Sequence, residues 1–268
     1  MRLHRPYISA TAAVIVSSLG IAAYQHLPEA NPTPSPETAS VVQDAPDPAT
    51  GQPAGAPATP RTTGSPKPPK PQYPAQLPGL GPKTLSQIPA RTRQVVLVTG
   101  AGKKSSSSKV VLWERVDGGW RPGAEWAAHN GYKGWTDEHY AGDLHSPIGV
   151  FGLTDAGGRL ADPGTKLPYH RSGAFSISDT GFLGEPLAGS FDYVIAINYN
   201  RQPGTSPMNG AQPMGANRGG GIWIHVDHGG PTHACVSVSK THMKQLLQAL
   251  DPADHPVVVM GDAASLAR

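Results

Sequence analysis

The apolar positions of the chain change rhythm near residue 90. Beyond it, short runs rich in β-branched residues recur at 94–98, 109–113, 149–153, 193–197, 221–225 and 256–260, set apart by turns bearing Gly, Asp and Pro. One stretch has helical spacing. Over 239–250, Met243, Leu246, Leu247 and Leu250 fall at i, i+3, i+4 and i+7, and Pro252 stands just past the end. The polar run 100–108 sits between the first two strands. It lacks the glycine spacing that a phosphate-binding loop needs before its Lys, so it reads as a hairpin loop. The pattern predicts a mostly-β domain over 91–268 with one clear helix in its C-terminal half.

The region before residue 91 reads differently. Arg2 and Arg5 precede 7–24, a stretch without a charged residue, which is the order of an export signal or a membrane anchor. That length is near the lower limit for a spanning helix. Residues 1–26 are therefore expected to form a signal or anchor segment, leaning to an uncleaved anchor helix with the two Arg on the cytoplasmic side. Residues 27–90 hold 17 of the 29 prolines. Such density fixes φ and removes donors, so a disordered, extended spacer without a packed core is expected. Composition agrees: Gly 32 and Pro 29 in 268 residues, with only 15% charged, is an ordinary domain diluted by a proline-rich tail.

Charge and cysteine content narrow the partners. Residues 91–268 carry 16 Lys/Arg against 15 acids, and that near-neutral balance argues against nucleic acid as a partner. A single Cys excludes an internal disulfide and a multi-cysteine zinc site.

That one Cys lies in the most informative segment. His225, His228 and His233 fall within the eleven residues that end at Cys235. A lone Cys is often a buried apolar residue. Here it follows a Gly-Gly-Pro turn and precedes the helix, where exposed backbone N–H groups lower a thiol pKa and receive an oxyanion. His225 ends a strand that runs into the same loop, within reach as a base. Cys–His nucleophilic catalysis, with a thiol titrating below its usual range, is the expectation. Trp223 alternates with His225 and should share its face. It is read equally as pocket lining or as core. Tyr193 and Tyr199 read as sheet residues. His129, His139, His145, His170, His242 and His255 show no pairing and read as surface residues.

Two motifs in this order resemble the L,D-transpeptidases of the YkuD type, which remodel bacterial peptidoglycan. One is Ile222-Trp-Ile-His225 followed by Thr232-His233-Ala234-Cys235-Val236-Ser237. The other is Ser146-Pro147-Ile-Gly149-Val-Phe151 upstream. The resemblance spans roughly 94–261 and implies a β-sandwich-like catalytic domain. It implies Cys235 as nucleophile and His225 as general base. The N–H of Cys235, with Ala234 beside it, would form the oxyanion hole, and Thr232, His233 and Ser237 would line the pocket. Asp227 and His228 are candidates for orienting the base. Two positions depart from the family pattern: Ala234 stands where Gly is usual, and Ser237 stands where Asn or Arg is usual.

The implied reaction is acyl transfer from a tetrapeptide stem with release of D-Ala. The acceptor is a diamino-acid side-chain amine, giving a cross-link, or water, giving an L,D-carboxypeptidase. The partners are peptidoglycan stem peptides, with the membrane engaged through the N-terminal segment. The setting is extracytoplasmic, on the outer face of the membrane or in the wall, and the enzyme is a carbapenem target. The reaction needs no metal or organic cofactor. Two rival readings stay open. One is a non-catalytic peptidoglycan-binding module. The other is a zinc-dependent hydrolase using His225, His228 and His233 with Asp227 and Cys235, although the spacing matches no zinc motif such as H-E-x-x-H.

Overall fold

The structure is a computed structural model that describes residues 72–268. The expected anchor at 1–26 and most of the 27–90 spacer lie outside the described residues. Among the described residues no helix is long and apolar enough to cross a membrane.

In β1 (Gln94–Gly100) nearly every side chain is buried. Val96 and Val98 face the main core, and Val95 and Leu97 face a second, smaller one. β2 (Ser107–Val116) returns antiparallel through the polar 101–106 loop, as its hairpin reading expects. β3 (Gly119–His129) then adds a long strand that the hydrophobic pattern did not reveal, because most of its side chains are exposed. β4 (Trp135–Thr136) and β5 (Ser146–Pro147) form a small parallel pair. β6 (Gly149–Gly158), β7 (Tyr169–Arg171), β8 (Val194–Ile197), β9 (Trp223–Val226), β10 (Val236–Val238) and β11 (Val257–Asp262) complete the sheet.

The strand order is β11-β1-β2-β3-β10-β9-β8-β6-β7, and β6 also pairs with β11. That last pairing closes eight strands into a mixed barrel. β1–β11 and β9–β10 run parallel, and the other pairs around the ring are antiparallel. The sandwich-like expectation is thus corrected: the domain is mostly β, but its sheet closes on itself. The cause lies in β6, whose first half, Gly149–Gly152, pairs with β11 and whose second half pairs with β8. One strand bridging both neighbours leaves no open edge there.

Helix α2 (Lys240–Ala249) matches the expected stretch. Ser239 caps it by accepting from the His242 N–H, and Met243, Leu246, Leu247 and Leu250 all lie in the main core. Two short helices flank the second core: α1 (Pro82–Gln87) and α3 (Ala263–Leu266). Here the spacer expectation needs correction. Leu77 is 3% exposed and joins Val95, Leu97, Trp120, Val257, Val259 and Leu266, with Leu80, Leu85 and Ile88 packed against them. Gly81 N–H donates to the Leu266 carbonyl and Lys83 N–H to that of Arg268. The outer face of β1 and β11 is apolar, and residues 73–90 cover it, so burial outweighs their proline content.

Candidate active site

β3, β10 and β9 lie side by side, and His129, Ser237 and His225 stand in register across them. Residues in register share a face of the sheet, and so do alternate residues along a strand. Trp223, His225 and Asp227 therefore lie on that face beside Cys235 and Ser237. The segment 172–191 after β7 and the turn 228–233 rise around this face and leave a cavity of about 130 Å³ lined by His225, Cys235, His228, His233, Phe182 and Phe191 among others.

Cys235 is half-buried at the cavity wall. Its sulfur receives the Trp223 N–H at 3.4 Å and lies 3.7 Å from the Gly221 carbonyl. Burial pushes its thiol up to about 11, and the Trp223 N–H offsets only part of that shift. The expected low thiol pKa is thus corrected. The physical reason is that β10 stands between Cys235 and α2, so the helix terminus is not aimed at the sulfur.

His225 is fully enclosed, with the Phe191 ring edge-on at 5.5 Å. Burial holds it down at about 4, so it is neutral at physiological pH. Its Nδ1 lies 2.9 Å from the Val226 carbonyl. A carbonyl only accepts, so Nδ1 carries the proton and Nε2 keeps its lone pair. The group that orients the His225 ring is therefore this backbone carbonyl, which no side-chain pattern announces.

Neither sequence candidate for that task is hydrogen-bonded to His225. Asp227 instead accepts from His129 Nδ1 at 2.7 Å, from Ser237 Oγ at 2.6 Å and from the Gly229 N–H at 3.1 Å. Despite partial burial, those donors hold its carboxyl at about 2. His129 is raised in turn by the same hydrogen bond, and so is not the unpaired surface residue expected. His228 stacks on His225 with ring centres 5.8 Å apart, and its Nδ1 lies 3.2 Å from Glu185 Oε1. His139, also read as surface, is buried against Asp143 at 3.0 Å, and His242 stacks on Trp126.

The remaining expected positions divide. His233 is exposed at the cavity mouth, 4.9 Å from the Phe182 ring. Ala234 is buried, and it is not among the described non-glycine residues with positive φ, so replacing the family's usual Gly creates no strain there. Thr232 donates its hydroxyl to the Cys235 carbonyl at 2.7 Å. Ser237 is fully buried and its hydroxyl is spent on Asp227, so it does not line the cavity. Trp223 packs beside Phe175 and Phe191. The zinc candidates are dispersed among these separate bonds. Among the described residues no group of three or more His, Cys, Asp or Glu is placed to hold a metal.

Several participants were not legible in the sequence. Phe182 stacks on Tyr132 at 4.5 Å and roofs the cavity from the tip of a tight turn over 179–187. Glu185, in the same turn, fits against Gly181 and Gly230, where an added Cβ would meet its carboxylate within 2.1 Å. Ser146, read only as part of a motif, is wholly buried beneath the Cys235 loop.

A family model described as the L,D-transpeptidase catalytic domain (YkuD) matches residues 49–259. No curated protein matches the chain. Among solved structures, the helical cell-shape-determining protein Pgp2 from Campylobacter jejuni is 18% identical, with a TM-score of 0.38 over 63% of this chain and 48% of that one. Bd1075 of Bdellovibrio bacteriovorus is 17% identical, with a TM-score of 0.36 over 64% of this chain and 48% of that one. The chain thus spans about half the length of either.

Proposed function

The chain belongs to the L,D-transpeptidase catalytic-domain family, and from that premise we propose that it is a cysteine acyltransferase acting on peptidoglycan stem peptides outside the cytoplasmic membrane. The observation that carries this reading is the pairing at the cavity. A nucleophilic sulfur and a neutral imidazole with a free Nε2 line one small, largely apolar space.

The chemistry follows from the protonation states. The resting pair is neutral thiol and neutral imidazole, so no thiolate has to be kept in a buried site. On substrate binding, Nε2 of His225 takes the Sγ proton as sulfur attacks the carbonyl carbon of the third stem residue. The Cys235 N–H receives the developing oxyanion. The C–N bond to D-Ala breaks, its amine takes the proton from His225, and a thioester remains. A side-chain amine of a second stem peptide then attacks the thioester, or water does, and the thiol is regenerated. With Ser237 committed to Asp227, the usual Asn or Arg contact to the donor is missing, and His228 and His233 are the polar side chains left at the cavity to orient it.

Intact mass of the full-length chain mixed with a carbapenem tests this. The wild type is expected to gain one covalent adduct and Cys235→Ala none. A folded, reduced wild type that stays unmodified would overturn the enzymatic reading in favour of a wall-binding module. Muropeptide products then separate transfer to an amine from hydrolysis.

A further inference from the structure

Ser146 lies 89 positions before the nucleophile and touches neither the cavity nor the sulfur. Its side chain is nevertheless fully buried at the base of the Cys235 loop. Its Oγ lies 2.7 Å from the Ala234 carbonyl and 3.2 Å from the Cys235 carbonyl, and it accepts the Gly131 N–H at 2.9 Å. A hydroxyl has one proton, so the shorter contact, to Ala234, is its main donation. Thr232 Oγ1 donates to the Cys235 carbonyl, in the next peptide plane, at 2.7 Å.

The Ser146–Ala234 bond fixes the direction of the peptide plane that carries the Cys235 N–H. Among the described residues every peptide bond is trans, so the Ala234 carbonyl and the Cys235 N–H point in opposite directions. With the carbonyl held on a buried serine that does not line the cavity, the N–H is turned away from that serine. The β10 ladder begins only at Val236, so that N–H is not consumed by strand pairing.

We infer that Ser146 is a positioning residue for the oxyanion hole: by clamping the Ala234 carbonyl it aims the Cys235 N–H at the substrate carbonyl. The inference rests on the proposed acyl transfer. The surroundings of Ser146 fit the task. An added Cβ at Gly131 would meet the Ser146 backbone N at 2.7 Å and the Leu144 carbonyl at 2.8 Å. Thr232 N–H donates to the Asn130 carbonyl and Tyr132 N–H to that of Thr232. The segments 130–132, 144–146 and 232–235 are thereby zipped into one rigid floor. Oxyanion donors act through preorganisation, so a peptide plane free to rotate is a weaker donor even when the sulfur stays in place.

The test compares two reactions of the same thiol in the full-length chain, at one pH. Acylation by a carbapenem builds an oxyanion; alkylation by iodoacetamide does not. Ser146→Ala is expected to slow acylation about 10- to 100-fold, less than the full loss of one oxyanion donor. Alkylation should change by no more than about twofold on the same scale. Ser146→Thr keeps the hydroxyl and should recover most of the acylation rate. If Ser146→Ala does not fold, Ser146→Cys, which keeps the shape with a weaker donor, must show the same selective loss in smaller measure. Equal loss in both reactions would reduce Ser146 to a structural role, and unchanged acylation would sink the inference outright. A wild type that alkylates but is never acylated would overturn the proposed function, and this inference with it.

Discussion

At the scale of residues, the site is organised around neutrality. A half-buried thiol pushed up to about 11 and a buried imidazole held near 4 both favour their uncharged forms. The sign follows directly. Below its pKa the thiol holds its proton, so the thiolate fraction rises about tenfold per pH unit until the pKa is passed. Alkylation of Cys235 by iodoacetamide should therefore climb steadily from pH 7 beyond pH 9. A plateau already reached below pH 8 would mean a preformed thiolate and would contradict this environment. The sequence announced Cys235 and His225 through side-chain identity and spacing. It was silent on the Val226 carbonyl, because every residue has one. Ser237 shows the converse: the sequence placed it in the pocket, and a better partner, Asp227, took its hydroxyl.

At the scale of elements, the apolar pattern was a dependable guide wherever burial sets the pattern. β1, β8 and β11 are buried along most of their length and α2 buries one periodic apolar face, so all four were legible. β3 was not, because hydrogen bonding to β2 and β10 holds it while its side chains face outward. Residues 73–90 fail the same guide in the other direction. Proline hides them among spacer residues, yet Leu77 sits in a core. Leu77→Ala should cost roughly 2–4 kcal/mol, read as a lowered urea midpoint with little change in slope. An effect below about 0.5 kcal/mol would show that this segment is only loosely applied to the barrel.

At the scale of the whole molecule, barrel closure places β6 between β8 and β11, and a buried ion pair fastens it to the chain beyond β8. Arg201 and Asp155 are 5% and 1% exposed and lie 2.9 Å apart, and Arg201 also donates to Asn198 and the Thr205 carbonyl. Breaking such a pair leaves an uncompensated charge in low dielectric. Arg201→Met should destabilise the fold by about 3–5 kcal/mol, while the double variant Arg201→Met/Asp155→Leu should recover part of that loss. Equal stability of wild type and Arg201→Met in chemical denaturation would mean that solvent reaches Asp155.

The sequence by itself determined what short-range chemistry determines: most of the runs that become strands, where the helix starts and stops, and which Cys and His are candidates for the proposed reaction. Those properties follow from side-chain type and local spacing. Only the tertiary structure decided that the sheet closes into a barrel, that residues 73–90 belong to the folded body, and that Ser146 lies under Cys235. Each depends on contacts between segments far apart in the chain. The thiol's direction of shift was decided there too. Burial is a property of everything packed around an atom, and no local motif records it.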